Sequence, residues 1–380
     1  MIPKGWRLDR LGKVCEFQRG FDLPTSIRRE GRVPIISSSG ISGYHEVAKV
    51  QPPGLVTGRY GTIGKLFFVH EPYWPLNTAL WVKDFHGNDP SFLYYLLSKF
   101  DFKKFSDKTG VPGVNRNDLH AVRVLVPSKT EQKRIAEILS TWDRAIETTE
   151  KLIANSEAQK KALMQQLLTG KKRLPGFSGA WTRKHFADAV TVDQDSLGQA
   201  TPADYRFRYI SLSDVTPGKI ADELGELEFG TAPSRARRKV KSGDILMATV
   251  RPNLQAFAKV SDQFSDYIAS TGFAVLGAKA GFHPDYIYHY LFSEHLTGQI
   301  EALVVGSNYP AINSSDIKGM AMRCPSYEEQ AAIAAVLTDA EGLIAQYHRQ
   351  ATDLHHEKSA LMQQLLAGKR RVKIKEEEAA

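Results

Sequence analysis

Gly58-Arg59-Tyr60-Gly61-Thr62-Ile63-Gly64-Lys65 comes nearest to a catalytic motif, because a glycine-rich turn ending in Gly-Lys can wrap backbone N–H groups around a phosphate. The rest of that chemistry is missing. Arg59 stands where the first glycine of a phosphate loop belongs, and Leu66 replaces the Ser or Thr that would bind magnesium. His356-Glu357 lacks the second histidine of a helical zinc motif, since Ala360 occupies that place. The only Pro-Pro, Pro52-Pro53, is preceded by Gln51 and completes no adenine-methyltransferase element, and Pro284-Asp285 has no nearby Glu-x-Lys to form a metal-dependent nuclease. The sequence presents no catalytic or metal centre of its own.

The remaining side chains suit recognition instead. Arg can bridge a guanine edge, Asn an adenine edge, and Lys or Arg a phosphate. Candidate readers are Arg59, Tyr60 and Lys65 in the glycine-rich loop, and Asn115, Arg116 and Asn117 after the Gly110 turn. In the second half they are Arg251 and Asn253, the basic cluster Arg235, Arg237, Arg238, Lys239 and Lys241, and Asn308 with Tyr309. Each could equally be a turn former or a solvated charge. Asn77 and Asn313 read as structural caps.

What must position these residues is an element that occurs twice. Pro127 to Leu174 returns as Pro325 to Val372 without a gap, and both copies contain Ala-Leu-Met-Gln-Gln-Leu-Leu in register. Each copy predicts one long helix. Ser128 or Thr130 can cap the start and Ser128 stands three residues before Glu131 in capping-box spacing, Gly170 and Gly368 close the helices, and Lys171 to Arg173 and Lys369 to Arg371 place cations at the negative ends. About forty residues at about 1.5 Å each give a rod of about 60 Å. Its apolar stripe steps by four and three through Ile135, Leu139, Trp142 and Ile146, and through Ile333, Leu337, Ala340 and Ile344, which is a coiled-coil seam. The economical partner for each copy is the other copy, antiparallel, with Ile135 against Leu365, Leu163 against Leu337 and Trp142 against Lys358.

Composition sets the class. A 380-residue chain with 42% hydrophobic and 24% charged residues is long enough for two globular domains. No apolar run approaches eighteen residues and the sequence shows no signal peptide, so a cytoplasmic address without a membrane is expected. Cys15 and Cys324 read as small buried residues. The formal charge of +8 favours a polyanionic partner, and Arg28, Arg29 and Arg32 add a second basic run.

Residues 1–126 alternate short strand candidates with turn residues: Val33 to Ile36, Gly54 to Thr57, Lys65 to Val69 and Ala79 to Val82. A helix from Ser91 to about Phe100, a loop from Asp107 to Val114, a short helix near Asn115 to Leu119 and a strand from Val122 to Val126 follow. The second half repeats the plan: Arg208 to Ser211 stands for Pro34 to Ser37, Gly243 to Leu246 for Gly54 to Val56, and Pro310 to Asn313 for Pro112 to Asn115. The fold class is α+β, with two similar domains (1–126 and 175–324), two long helices (127–174 and 325–372) and an acidic tail (373–380) expected to be disordered. Between the anchors the sequences diverge, as loops that carry specificity on a fixed scaffold do.

Two variable α+β domains, each followed by a long helix ending in Ala-Leu-Met-Gln-Gln-Leu-Leu-x-Gly-Lys-(Lys/Arg)-Arg, closely resemble the specificity subunit of type I restriction-modification systems. Leu174 to Trp181, Ile35-Ile36-Ser37, Gly61 to Gly64 and the Pro-x-x-x-Glu-Gln entries at Pro127 and Pro325 carry the same resemblance. It implies a non-catalytic subunit whose two target recognition domains each read half of a split double-stranded DNA sequence, with two long antiparallel coiled-coil helices as ruler and dock. Two modification subunits would supply S-adenosylmethionine and adenine methylation. Restriction subunits would supply ATP- and Mg-dependent translocation and cleavage, and this chain would bind no cofactor. The competing reading is a coiled-coil interaction protein binding protein or RNA; an enzyme with an unrecognised site comes third.

Overall fold

The computed structural model describes residues 2–106, 113–304 and 310–373, which fall into two compact units, Met1–Glu150 with Arg349–Ala380 and Lys151–His348. Among the described residues no helix is long and apolar enough to cross a membrane.

In the first unit, strand Arg7–Arg10 pairs antiparallel with Arg123–Val126. A four-stranded antiparallel sheet has the order Glu16–Arg19, Ala79–Asp84, Gly54–Gly58, Leu66–Val69. A three-stranded sheet has the order Gly40–His45, Val33–Ser37, Trp74–Pro75, the last two parallel. Helix Pro90–Ser98 is started by Asp89, whose carboxylate accepts the Phe92 N–H at 2.9 Å. The four-stranded sheet, the Arg7–Arg10 pair and helix Pro90–Ser98 meet in one core that includes Phe17, Leu55, Leu80, Phe92 and Leu97, closed by Ile135 and Leu139 from the first long helix and Leu365 and Leu366 from the second, whereas the three-stranded sheet buries Ile36 and, with Trp74, Ile35 in two smaller clusters. The expected strands and helices are present. Arg7–Arg10, Glu16–Arg19 and Gly40–His45 carry no apolar alternation in the sequence, because polar residues fill much of the first two, whose ladder partners are distant in the chain, and Gly, Ser and Tyr fill the third, which the adjacent strand Val33–Ser37 pairs as a hairpin.

The second unit repeats the connectivity. Thr182–His185 pairs with Ala321–Cys324, and the four-stranded sheet runs Val190–Val192, Phe273–Ala278, Ile245–Ala248, Phe257–Lys259, with the same chain order of first, fourth, second, third strand. Its other sheet keeps the parallel pair, here Arg206–Ile210 with Ile268–Ser270, and gains an outer strand, Ala236–Lys239. That added strand carries most of the basic cluster.

The long helices are Lys129–Leu167 and Tyr327–Leu366, and each contributes to both units. Within each unit their segments run antiparallel. In the first unit Glu131 meets Arg371, Asp143 meets Lys358 and Glu150 meets His355; in the second Glu157 meets His348, Lys160 meets Glu341 and Arg173 meets Glu329. The expected seam holds: Ile135, Leu139, Leu361 and Leu365 share one core, and Leu163, Leu167, Ile333 and Leu337 share the other. One detail differs. Lys358 pairs with Asp143 and lies 5.6 Å from the centroid of Tyr95, whose hydroxyl donates to Asp143 at 2.6 Å; the ring it covers is this one, where Trp142 was expected.

Of the two expected caps, Ser128 is the one that acts, accepting the N–H three residues on at 3.3 Å, and Ser326 does the same for the second helix. The reciprocal half of the capping box is absent, since the Glu131 carboxylate turns away to Trp6 and Arg371.

Candidate nucleic-acid interface

Three loops meet at one end of each unit. In the first, Arg59 and Tyr60 both donate backbone N–H groups to Thr78 O, and Val114 donates to Arg59 O at 2.8 Å, so the glycine-rich loop is stitched to the segment preceding helix Arg116–Ala121. Tyr60 lies directly on Gly113: a Cβ there would stand 2.2 Å from the ring, so any other residue at 113 would have to push the ring aside. The Arg59 guanidinium stacks 4.4 Å from the Tyr60 centroid and donates to its hydroxyl at 3.2 Å. A flexible cation is thereby held on a rigid aromatic plate, with Tyr60 38% exposed.

The third loop was missed in the sequence. The hairpin turn Ser37 to Gly40 abuts the glycine-rich loop, with Ser38 Cβ 3.2 Å from a Cβ built on Gly58 and Ser38 Oγ 3.5 Å from one on Gly61. Ser37 Oγ donates to Gly40 O and stands 3.0 Å from Ser39 Oγ, which fixes the turn and leaves Ser39 exposed. The run of serines ending in glycine after an apolar strand was the available signal.

The second unit builds the same junction. Ile312 donates to Thr249 O as Val114 does to Arg59 O, Arg251 donates to Pro310 O, and the Ser211 to Asp214 turn reaches Gly272 through Leu212. Arg251 and Asn253 sit there, both exposed. Arg235 lies nearby, its carbonyl accepting from Thr271 N next to Gly272.

Other candidates have other partners. Asn115 Oδ1 accepts the Asn117 N–H at 2.9 Å and caps its helix, as Asn313 does for helix Ser314–Gly319, so the two residues hold equivalent places although only Asn313 reads as a cap in the sequence. Arg116, Asn117 and Lys65 are exposed near the junction. Asn77 caps no helix and donates to Asp22. Within the basic cluster, Arg238 pairs with half-buried Asp193 at 3.0 Å, Lys241 pairs with Asp195 at 2.9 Å, and Arg237 stacks 4.5 Å from the Phe229 centroid. The Lys241 ammonium holds the Asp195 carboxyl below its ordinary range. Lys239 is exposed but lies at the far end of the strand from Arg235. Asn308, Tyr309 and the acidic residues Glu376 to Glu378 lie outside the described residues, as does most of the loop from Asp107 to Val114. Cys15 and Cys324 are buried, which pushes their thiols up to about 12 and about 11.

Comparison with known proteins gives this duplicated arrangement a family. The specificity subunit of the type I restriction enzyme MjaVIII from Methanocaldococcus jannaschii is 26% identical over 306 residues, covering 75% of this chain and 71% of that protein. The putative MjaX specificity subunit of the same organism is 26% identical over 313 residues, covering 75% and 69%. In fold, the crystal structure of the type I restriction-modification S subunit from M. genitalium matches with a TM-score of 0.64 at 13% identity, covering 98% of this chain and 97% of that one. A chain from a structural study of type I complex assembly and conformational transition matches with a TM-score of 0.56 at 17% identity, covering 96% and 98%. The family model for the type I restriction modification DNA specificity domain matches residues 3–158 and 232–352, more than half of the sequence, and the chain therefore belongs to that family as a specificity subunit.

Proposed function

We propose that each unit reads one half of a split duplex sequence through its three-loop junction, and that the chain itself performs no catalysis. The observation that carries this reading is the duplicated junction. Two domains with one connectivity place chemically different side chains at the same site, Arg59 and Tyr60 in one and Arg251, Asn253 and Arg235 in the other. A constant scaffold with exchanged readers is what two unlike half-sites require. Phosphate contacts would come from exposed cations such as Lys65, Arg116 and Lys239, which position the duplex without choosing its sequence.

The reading extends to partners. Modification subunits would dock on this chain and bring S-adenosylmethionine and adenine methylation; restriction subunits would bring ATP, Mg and cleavage. The complex would work in the cytoplasm.

Exchange of residues 1–126 for the corresponding domain of a relative tests the assignment. Methylated sites in the host genome should then change in one half and keep the other. If both halves change together, independent reading by the two units is wrong. RNA binding as tight as duplex binding would favour the interaction-protein reading.

A further inference from the structure

We propose that Leu254 reads a thymine methyl group in the half-site bound by the second unit, an inference that rests on the DNA-reading function above. In the first unit the glycine-rich loop turns at Gly61 and Gly64, with φ of 77° and 99°, where a residue without Cβ is unstrained. The second unit makes the same excursion between the same two strands, and the bridges Tyr60 to Gly113 and Val250 to Ala311 align the loops. Its left-handed positions are held by Arg251 and Gln255, with φ of 51° and 52°, where a Cβ is disfavoured. Glycine would make this turn more easily. Side chains kept at strained positions beside a binding junction point to a use for what they present.

The turn presents Leu254. Pro252 is buried beneath it, Leu254 N–H donates to Arg251 O at 2.9 Å and Gln255 N–H to Pro252 O at 2.9 Å, so the tip is fixed. Leu254 is nevertheless 60% exposed, the most open of the large apolar side chains among the described residues, and it stands beside exposed Asn253. In the major groove the thymine C5-methyl is the one apolar group displayed; every other readable feature donates or accepts a hydrogen bond. Leucine against that methyl leaves no polar group unpaired. Against a donor or acceptor edge it would strip water and return nothing.

The test uses the full chain in complex with its modification subunits and the duplex identified from its methylated sites. Each thymine of the half-site assigned to the second unit is replaced in turn by deoxyuridine, which removes only the methyl. One position should lose about fourfold in affinity, the worth of one buried methyl. Leu254→Ala should bind the thymine and deoxyuridine duplexes alike at that position, while Leu254→Met should keep the preference and so exclude a folding defect. A half-site with no thymine, or a scan in which Leu254→Ala cancels no loss, overturns the proposal. If the wild-type complex does not prefer its target over a scrambled duplex, the DNA-reading function itself fails; if it prefers the target but the scan is flat, only the role of Leu254 does.

Discussion

Arg371 closes a bidentate ion pair on Glu131, 240 residues earlier in the chain, at 2.7 Å from Nε to Oε1 and 3.0 Å from Nη2 to Oε2. Trp6 Nε1 donates to the same carboxylate at 2.9 Å, and the guanidinium lies 5.9 Å from the indole centroid. The second unit holds the equivalent set: Arg173 on Glu329 at 2.5 and 2.6 Å, and Trp181 on the same carboxylate at 3.2 Å. Both carboxylates are almost fully buried, at 2% and 1% exposure. Each clamp joins the start of one long helix to the segment that follows the end of the other.

Removing one partner strands a buried charge, so Arg371→Ala should destabilise the first unit. A fully buried pair would lose about 3–5 kcal/mol. The Arg371 side chain is 43% exposed and water can replace part of it, so about 2 kcal/mol is expected. A double-mutant cycle with Glu131→Gln in urea denaturation should return a coupling of at least about 1 kcal/mol. Additive effects would show that the carboxylate is held by Trp6 alone.

His289 provides a pH test of the second unit. Its ring is fully buried, and desolvation, with Lys160 and Lys259 adding repulsion against the opposing pull of Glu341 and Asp285, holds its pKa down to about 4 from an ordinary 6.5. Between these values the unfolded chain binds the proton and the folded chain does not, so stability falls as pH drops from about 6.5 toward 4. The contribution present above pH 6.5 is of order 3 kcal/mol. Denaturation of wild type and His289→Gln at pH 7 and pH 5 should show a smaller loss in the variant; equal losses would mean that the ring titrates freely in the fold.

Arg59 and the cations around it should separate by salt dependence. Arg59→Ala should relax one base pair at a cost of about 1–3 kcal/mol, whereas Lys65→Ala should weaken all duplexes alike and lower the salt slope by about one unit. Gly113→Ala should reproduce the Arg59→Ala pattern without touching the guanidinium, because its methyl displaces the Tyr60 ring on which Arg59 rests. Binding titrations over a panel of single-base variants at two salt concentrations decide the matter. A uniform loss from Arg59→Ala would make it a backbone contact.

Sequence alone determined the repeat, the two long helices, their serine caps and the seam that pairs them, because each rests on periodicity or on groups within a few residues of one another. It also named residues on the glycine-rich loop and at the start of helix Arg116–Ala121 in the first unit, and on the Arg251 loop in the second. Tertiary structure decided what the cations do. Arg59, Arg235, Arg238, Lys241 and Arg371 are alike as letters, yet one stacks on Tyr60, one stands exposed, and the others meet Asp193, Asp195 and Glu131. Whether a charge is free or neutralised depends on which distant strand or helix the fold brings beside it. The Ser37 to Gly40 turn was hidden for the same reason: its residues announce a turn, but only packing against Gly58 and Gly61 makes that turn part of a site.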